Sequence, residues 1–261
     1  MLFRSLVAGY IGLISWRFID RKHYIWFPDF IRWALASQPQ VTGPTHLFVL
    51  HTDHFEPANH LERVRRWETE FPALADRHRD HEGRPHQHTW FYPVEQPIDA
   101  NLEGLQRLVS GGYGEVEVHL HHGNDTYQTL DKRLRDGLAW AQRFGFARTV
   151  DGKTQWGFIH GNWALDNSDG RASRCGVDEE LTLLRRNGAY ADFTFPAIWT
   201  NAQARVVNAI YEAVDDPRPK SYDTRYPFQA RPSDRLPIFT GPLTAYFAFD
   251  PLRAFYRVED A

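Results

Sequence analysis

The stretch from Glu115 to Asp125, EVEVHLHHGND, places His119, His121 and His122 at the end of a short alternating segment. In a strand, residues two apart share a face, so His119 and His121 point the same way and His122 points to the other side. Two imidazoles on one face at a strand end can grip a metal, since imidazole is the commonest side-chain ligand for zinc and its neighbours. A second half-site lies upstream in HLFVLHTDHFEP, where an apolar run ends in His51, Asp53, His54 and Glu56. A hydrolytic metal site needs two or three His or carboxylate ligands, an open position for water, and a carboxylate to take the water's proton. Asp53 supplies the base and His54 a further ligand, with His119 and His121 completing the set. The expected cofactor is a divalent cation, zinc first among candidates, beside which a water loses its proton near neutral pH and attacks a carbonyl carbon.

The totals narrow the classes. At 261 residues the chain holds one sizeable core or two small domains at most. Its 42% hydrophobic and 24% charged residues place it among ordinary globular proteins. A net charge of −3 and the lack of a basic stripe argue against a nucleic-acid partner. Aromatics make up 15% of the chain, with nine Trp, which fits a bulky core or a sugar-binding cleft whose flat rings stack on pyranose faces. Cys175 is the only cysteine, so no internal disulfide can form. It sits in the polar stretch SDGRASRCGVDEE with no evident partner and reads as inert.

The elements that must position these groups follow from the pattern along the chain. Residues 1–44 form an N-terminal aromatic segment expected to pack on the outside of a domain spanning 45–261. Its apolar run Leu6 to Trp16 is too short to span a bilayer and lacks a convincing signal-peptide cleavage site. Residues 1–33 also fit a helix lying in a membrane interface, so the expected location is cytoplasmic or membrane-peripheral. The segment QPQVTGP (38–44) reads as a linker, and HLFVL (46–50) as a buried strand. Leu61, Val64, Trp67 and Phe71 recur at helical spacing. The His-rich loop 76–88, with His78, His81, His86 and His88, reads as solvated. Strands are expected at 88–94, 115–125, 155–163, 189–197 and LPIFTG, and helices at 100–112, 126–145 and 177–188. NAQARVVNAIYEAV fits either, and the ending TGPLTAYFAFDPLRAFYRVEDA carries no tidy terminal helix. Such alternation means βα units around a parallel sheet, with the chemistry at the strands' carboxyl ends. Asp53, His54, His119, His121, His160 and Asp192 all fall at or just beyond such ends.

On these motifs the sequence resembles the polysaccharide deacetylase (NodB-type, carbohydrate esterase family 4-like) superfamily, from about His46 to Pro196. LFVLHTDHFEP is similar to that family's first strand, with Asp53 at the base position. GEVEVHLHH (114–122) is similar to its metal-binding His motif, and GFIHGNWALDNS with DEELTLLRRNGAYADFTFPA to its third motif region. The resemblance implies an α/β fold, a distorted or incomplete (β/α) barrel of about seven strands. It implies removal of N- or O-acetyl groups from a polysaccharide or glycan. Asp53 would be the catalytic base, with His160 or else His122 standing in as the acid; His54, His119 and His121 would hold the metal, and Asn162, Trp163 and Asp192 read as substrate contacts. The chain departs from the pattern in three places. His54 follows Asp53 where the family has a second acid, His160-Gly161-Asn162 replaces an Arg-x-Pro, and no histidine follows His160. A non-catalytic glycan- or partner-binding descendant and another His-rich metallohydrolase remain as rivals.

Overall fold

The computed structural model describes residues 2–37, 40–150, 152–229, 234–246 and 257–260, at 2–7, 245–246 and 257–260 for the backbone alone. Two helices come first, α1 (Leu2–Asp20) and α2 (Phe27–Leu35). The body then runs β1 (Thr52–His54), α3 (Leu61–Ala75), β2 (His88–Pro93), α4 (Asp99–Ser110), β3 (Gly114–Leu120) and α5 (Tyr127–Arg143). It continues β4 (Arg148–Val150), β5 (Lys153–His160), α6 (Glu180–Arg186), β6 (Ala189–Phe195) and β7 (Ala209–Ala213). Four short strands close it: β8 (Tyr226–Pro227), β9 (Leu236–Thr240), β10 (Leu243–Tyr246) and β11 (Arg257–Asp260).

Eight strands form one curled sheet in the order β1-β2-β3-β5-β6-β9-β7-β8, a half-barrel, with β4 pairing β5 off this path. From β1 to β9 the neighbours are parallel, as βα crossovers require, and β7 and β8 join antiparallel at the far edge. Among the described residues the strands β10 and β11 pair only with each other. The architecture is therefore a mixed α/β half-barrel, one strand larger than the seven expected. The ambiguous stretch around Ala209 is strand, and residues 247–256 of the chain's ending lie outside the described residues.

One face of the sheet is packed by helices. Val64 of α3, Leu102 and Leu105 of α4, Leu130 and Leu134 of α5, and Leu181 and Leu184 of α6 bury themselves against Trp90, Val116, Val118 and Phe158. Helix α5 starts as its sequence dictates: the Thr126 side chain accepts from Thr129 N–H and the Thr129 side chain returns the bond, a reciprocal capping box. A second, smaller cluster of Trp26, Phe30, Ile198, Val207 and Leu243 seats α2 on the body, helped by Asp29, which accepts from Val207 N–H at 3.2 Å.

The strand expected over HLFVL (46–50) is absent, and those residues are exposed coil, with Leu47 87% exposed. The cause is a missing neighbour. The last ladder bond at this edge runs from Thr89 N–H to His51 O. Upstream of it the partner chain would be the polar loop ending Arg84-Pro85-His86, and proline has no N–H to give. His88 also departs from expectation, since it is buried at the start of β2. Leu134→Ala should therefore cost about 2–5 kcal/mol and Leu47→Ala less than about 0.5, as read by urea denaturation. Equal losses would mean that the apolar run is packed.

Candidate metal centre

Register decides which side chains meet. His54 pairs with Phe91 across β1 and β2, and Phe91 with Glu117 across β2 and β3. Laterally paired residues of parallel strands point the same way, so His54 shares a face with Glu117 and, two residues on, with His119. His54 Nδ1 accordingly lies 3.0 Å from His119 Nε2. Glu56, two residues beyond His54, brings Oε1 to 3.4 Å from His119 Nε2 and 3.6 Å from His121 Nε2. The rings of His119 and His121 stand edge to face, 4.4 Å between centroids. Three imidazoles and a carboxylate thus converge on the face not packed by helices.

A fifth residue sets the chemistry of the fourth. Glu95, just past the end of β2, holds His121 Nδ1 at 2.7 Å and also accepts from His121 N–H. Nδ1 therefore carries a proton, and Nε2 faces Glu56 Oε1. A carboxylate behind a histidine is the usual way to orient a metal ligand. Burial, then the neighbouring His121, lowers His54 to about 4, and burial, then His54 and His121, lowers His119 to about 2. Both are neutral imidazoles at any ordinary pH, the form that binds metal. The Glu95 hydrogen bond raises His121. Imidazole nitrogens beside a carboxylate are the kind of donors that zinc or a similar divalent cation takes, and among the described residues no backbone N–H donates to His54 Nδ1 or His119 Nε2 where they meet.

The helix-packed face carries a further group, His122, His160, Cys175 and Glu180, whose donor atoms all lie within 4.8 Å of one another; on the other face this holds for His54, Glu56 and His119 and, separately, for Glu95, His119 and His121. Its internal bonds give it a different character. His122 sits between Glu180 Oε1 at 3.0 Å and Asp125 Oδ2 at 3.3 Å. Burial opposes its charge, but Glu180 and Asp125 outweigh that and raise it to about 9, so it is an imidazolium at neutral pH. His160 Nδ1 accepts from Asn162 N–H at 3.1 Å. The proton of neutral His160 is then on Nε2, the nitrogen that faces Glu180, where a metal ligand needs a lone pair. This group is a buried carboxylate–imidazolium–carboxylate triad, whereas His54 and His119 on the other face are neutral imidazoles beside the half-exposed Glu56.

The structure therefore brings His54, His119 and His121 together and adds Glu56 and Glu95. It does not bring Asp53 to them. Asp53 alternates with His54, so it turns to the helix-packed face, where its Oδ1 lies 3.1 Å from His88 Nε2. The expected convergence of Asp53 with the imidazole pair is corrected by that one-residue parity. His160, expected as a catalytic group, is fully buried beside Glu180 and not at the rim. Asp192 is likewise buried, its carboxylate accepting from Thr194 N–H and Oγ1, and burial raises it to about 7. The Asn162 side-chain amide donates to His122 O and Arg174 O, tying the turn after β5. Trp163 alone of the three expected substrate contacts stands at the site, exposed, with its ring 5.2 Å from His54. Glu95 had a legible signal, its place at a strand's carboxyl end. Glu180, from a helix start, and Cys175, whose Sγ lies 3.4 Å from Glu180, had none.

No family model, curated protein or solved structure matches this chain.

Two substitutions test these assignments. A Cβ at Gly161 would lie 2.6 Å from the His121 ring, so Gly161→Ala should push that ring aside and weaken metal binding by about tenfold or more while the far-UV spectrum stays native. Unchanged metal affinity would remove His121 from the set. Glu180→Ala leaves a buried imidazolium with one carboxylate fewer and should cost about 3–5 kcal/mol of stability. A loss below about 1 kcal/mol would show that His122 carries no charge.

Proposed function

We propose that the protein is a metal-dependent hydrolase that removes acyl groups, N- or O-acetyl, from a glycan, on a NodB-like incomplete barrel. The observation that carries this reading is the convergence of His54, His119 and His121 with Glu56 on one accessible face of a βα half-barrel. In this reading the three imidazoles hold a divalent cation, and Glu95 fixes the tautomer of the third. The cation, when bound, polarises the acyl oxygen and acidifies a water. Glu56, half-exposed and within 3.6 Å of two of the imidazoles, is the base. It takes the proton as the water oxygen adds to the acyl carbon, and returns it to the leaving amine or alcohol as the carbon–nitrogen or carbon–oxygen bond breaks. That return makes a separate histidine acid unnecessary, which answers the absence of any histidine after His160. Trp163 offers an exposed ring beside His54 for a sugar face.

The same absence supports a second reading, a glycan-binding protein without turnover. Metal content and acetate release from acetylated chitooligosaccharides separate the two. Wild type should carry one tightly held metal ion per chain, and His119→Ala/His121→Ala should carry none. Glu56→Gln should keep the metal and lose about 10²–10⁴ in kcat. Asp53→Asn, whose side chain faces His88, should keep its metal. Full metal in the double variant would abolish the assignment, and metal without acetate release would leave the binding reading.

A further inference from the structure

Helix α1 is dressed the wrong way round for water. Tyr10, Ile14, Arg17 and Phe18 form its sheltered stripe, with Phe18 edge-on to Phe27 at 5.3 Å between ring centroids. The outward positions carry Ile11, Leu13, Trp16 and Ile19, with Trp16 63% exposed. Beyond Gly and Ala, only Ser15 and Asp20 interrupt that side among its described side chains. A helix on a water-soluble surface shows the reverse pattern, polar outward and apolar inward. Past the helix Tyr24, Ile31, Trp33 and Leu35 are exposed as well, Leu35 by 81%. No described helix is long and apolar enough to cross a membrane.

Next to this surface is a cavity of about 720 Å³, walled on one side by the N-terminal segment and on the other by the body. Arg32, Arg205, Lys220 and Arg225 line it, against the two carboxylates of Asp29 and Asp223. Those carboxylates are shared, Asp29 between Arg32 and Arg225, and Asp223 between Arg205 and Lys220. The lining therefore holds an excess of positive charge, in a protein whose total charge is −3. Arg21 and Lys22 stand where α1 ends, and Arg21 lies over the exposed ring of Trp199.

We propose that α1 and α2 dock the protein on an anionic phospholipid bilayer. The outward side of α1, with Trp33 and Leu35, enters the acyl boundary, and the cationic cavity takes a lipid phosphate. Apolar burial supplies the attachment, and the arginines select for negative headgroups. Trp16, Tyr24 and Trp33 have the amphipathic rings that settle at headgroup depth. A second copy of the chain would cover the apolar face equally well, but it would leave the adjacent positive excess without a counterpart. The inference is independent of the catalytic reading.

Flotation of the 261-residue chain with vesicles tests it. Binding to vesicles of phosphatidylglycerol and phosphatidylcholine is expected, with at least roughly tenfold weaker binding to phosphatidylcholine alone. Ile11→Asp/Trp16→Asp, both at exposed positions, should abolish flotation without changing the circular dichroism spectrum. Arg205→Gln/Arg225→Gln should erase the preference for anionic vesicles and leave residual binding. Failure of the wild type to float would overturn the proposal. So would flotation of the Ile11/Trp16 variant at the wild-type level. A wild-type dimer that the Ile11/Trp16 variant converts to monomer, with no vesicle binding by either, would assign the face to self-association instead.

Discussion

Side chains of a β-strand point alternately to its two faces, and in this protein that rule separates two chemistries only one residue apart. On β1 it sends His54, with Glu56 just beyond, to one side, and Asp53, with Phe55 beyond, to the other. On β3 it sends His119, with His121 just beyond, to the first side, and Leu120, with His122 beyond, to the second. The parallel pairing of β1, β2 and β3 then aligns these choices laterally, so that His54, His119 and His121 collect on the face left free by the helices. The charged histidine collects under them, between Asp125 and Glu180.

The two groups solve the problem of burying polar atoms in opposite ways. Below the sheet, His122 keeps a proton because two carboxylates hold it, and Asp125 is anchored in turn by Arg133 and Thr129. Such a triad costs desolvation and returns it only while every partner is in place. Above the sheet, His54 and His119 meet nitrogen to nitrogen, an arrangement in which at most one proton can be shared. A cation would satisfy all of these lone pairs together, which is the physical content of the metal assignment.

Much of the scaffold was legible in the chain. The apolar spacing of Leu61, Val64 and Phe71 marks α3, Thr126 and Gly145 bound α5, and the βα alternation gives a parallel sheet with polar residues at its carboxyl ends. Three things were not. HLFVL has every local property of a strand, but a strand exists only with a neighbour, and the neighbour is a proline-bearing loop. Asp53 and His54 are adjacent, so one of them had to face His119, but only the register of two intervening ladders decides which. Glu180 joins His122 from 58 residues away through the packing of α6, and no local pattern announces that meeting.

The brevity of β1 has an implication of its own. It sits at the margin of the sheet, joined to β2 by three register pairs and bordered upstream by unpaired coil. Marginal strands fray well below the free energy of global unfolding, and here fraying carries His54 away while His119, on an interior strand, stays. An ion bridging the two would act as a staple across that seam. Ion occupancy and edge closure would then be thermodynamically linked, each reinforcing the other.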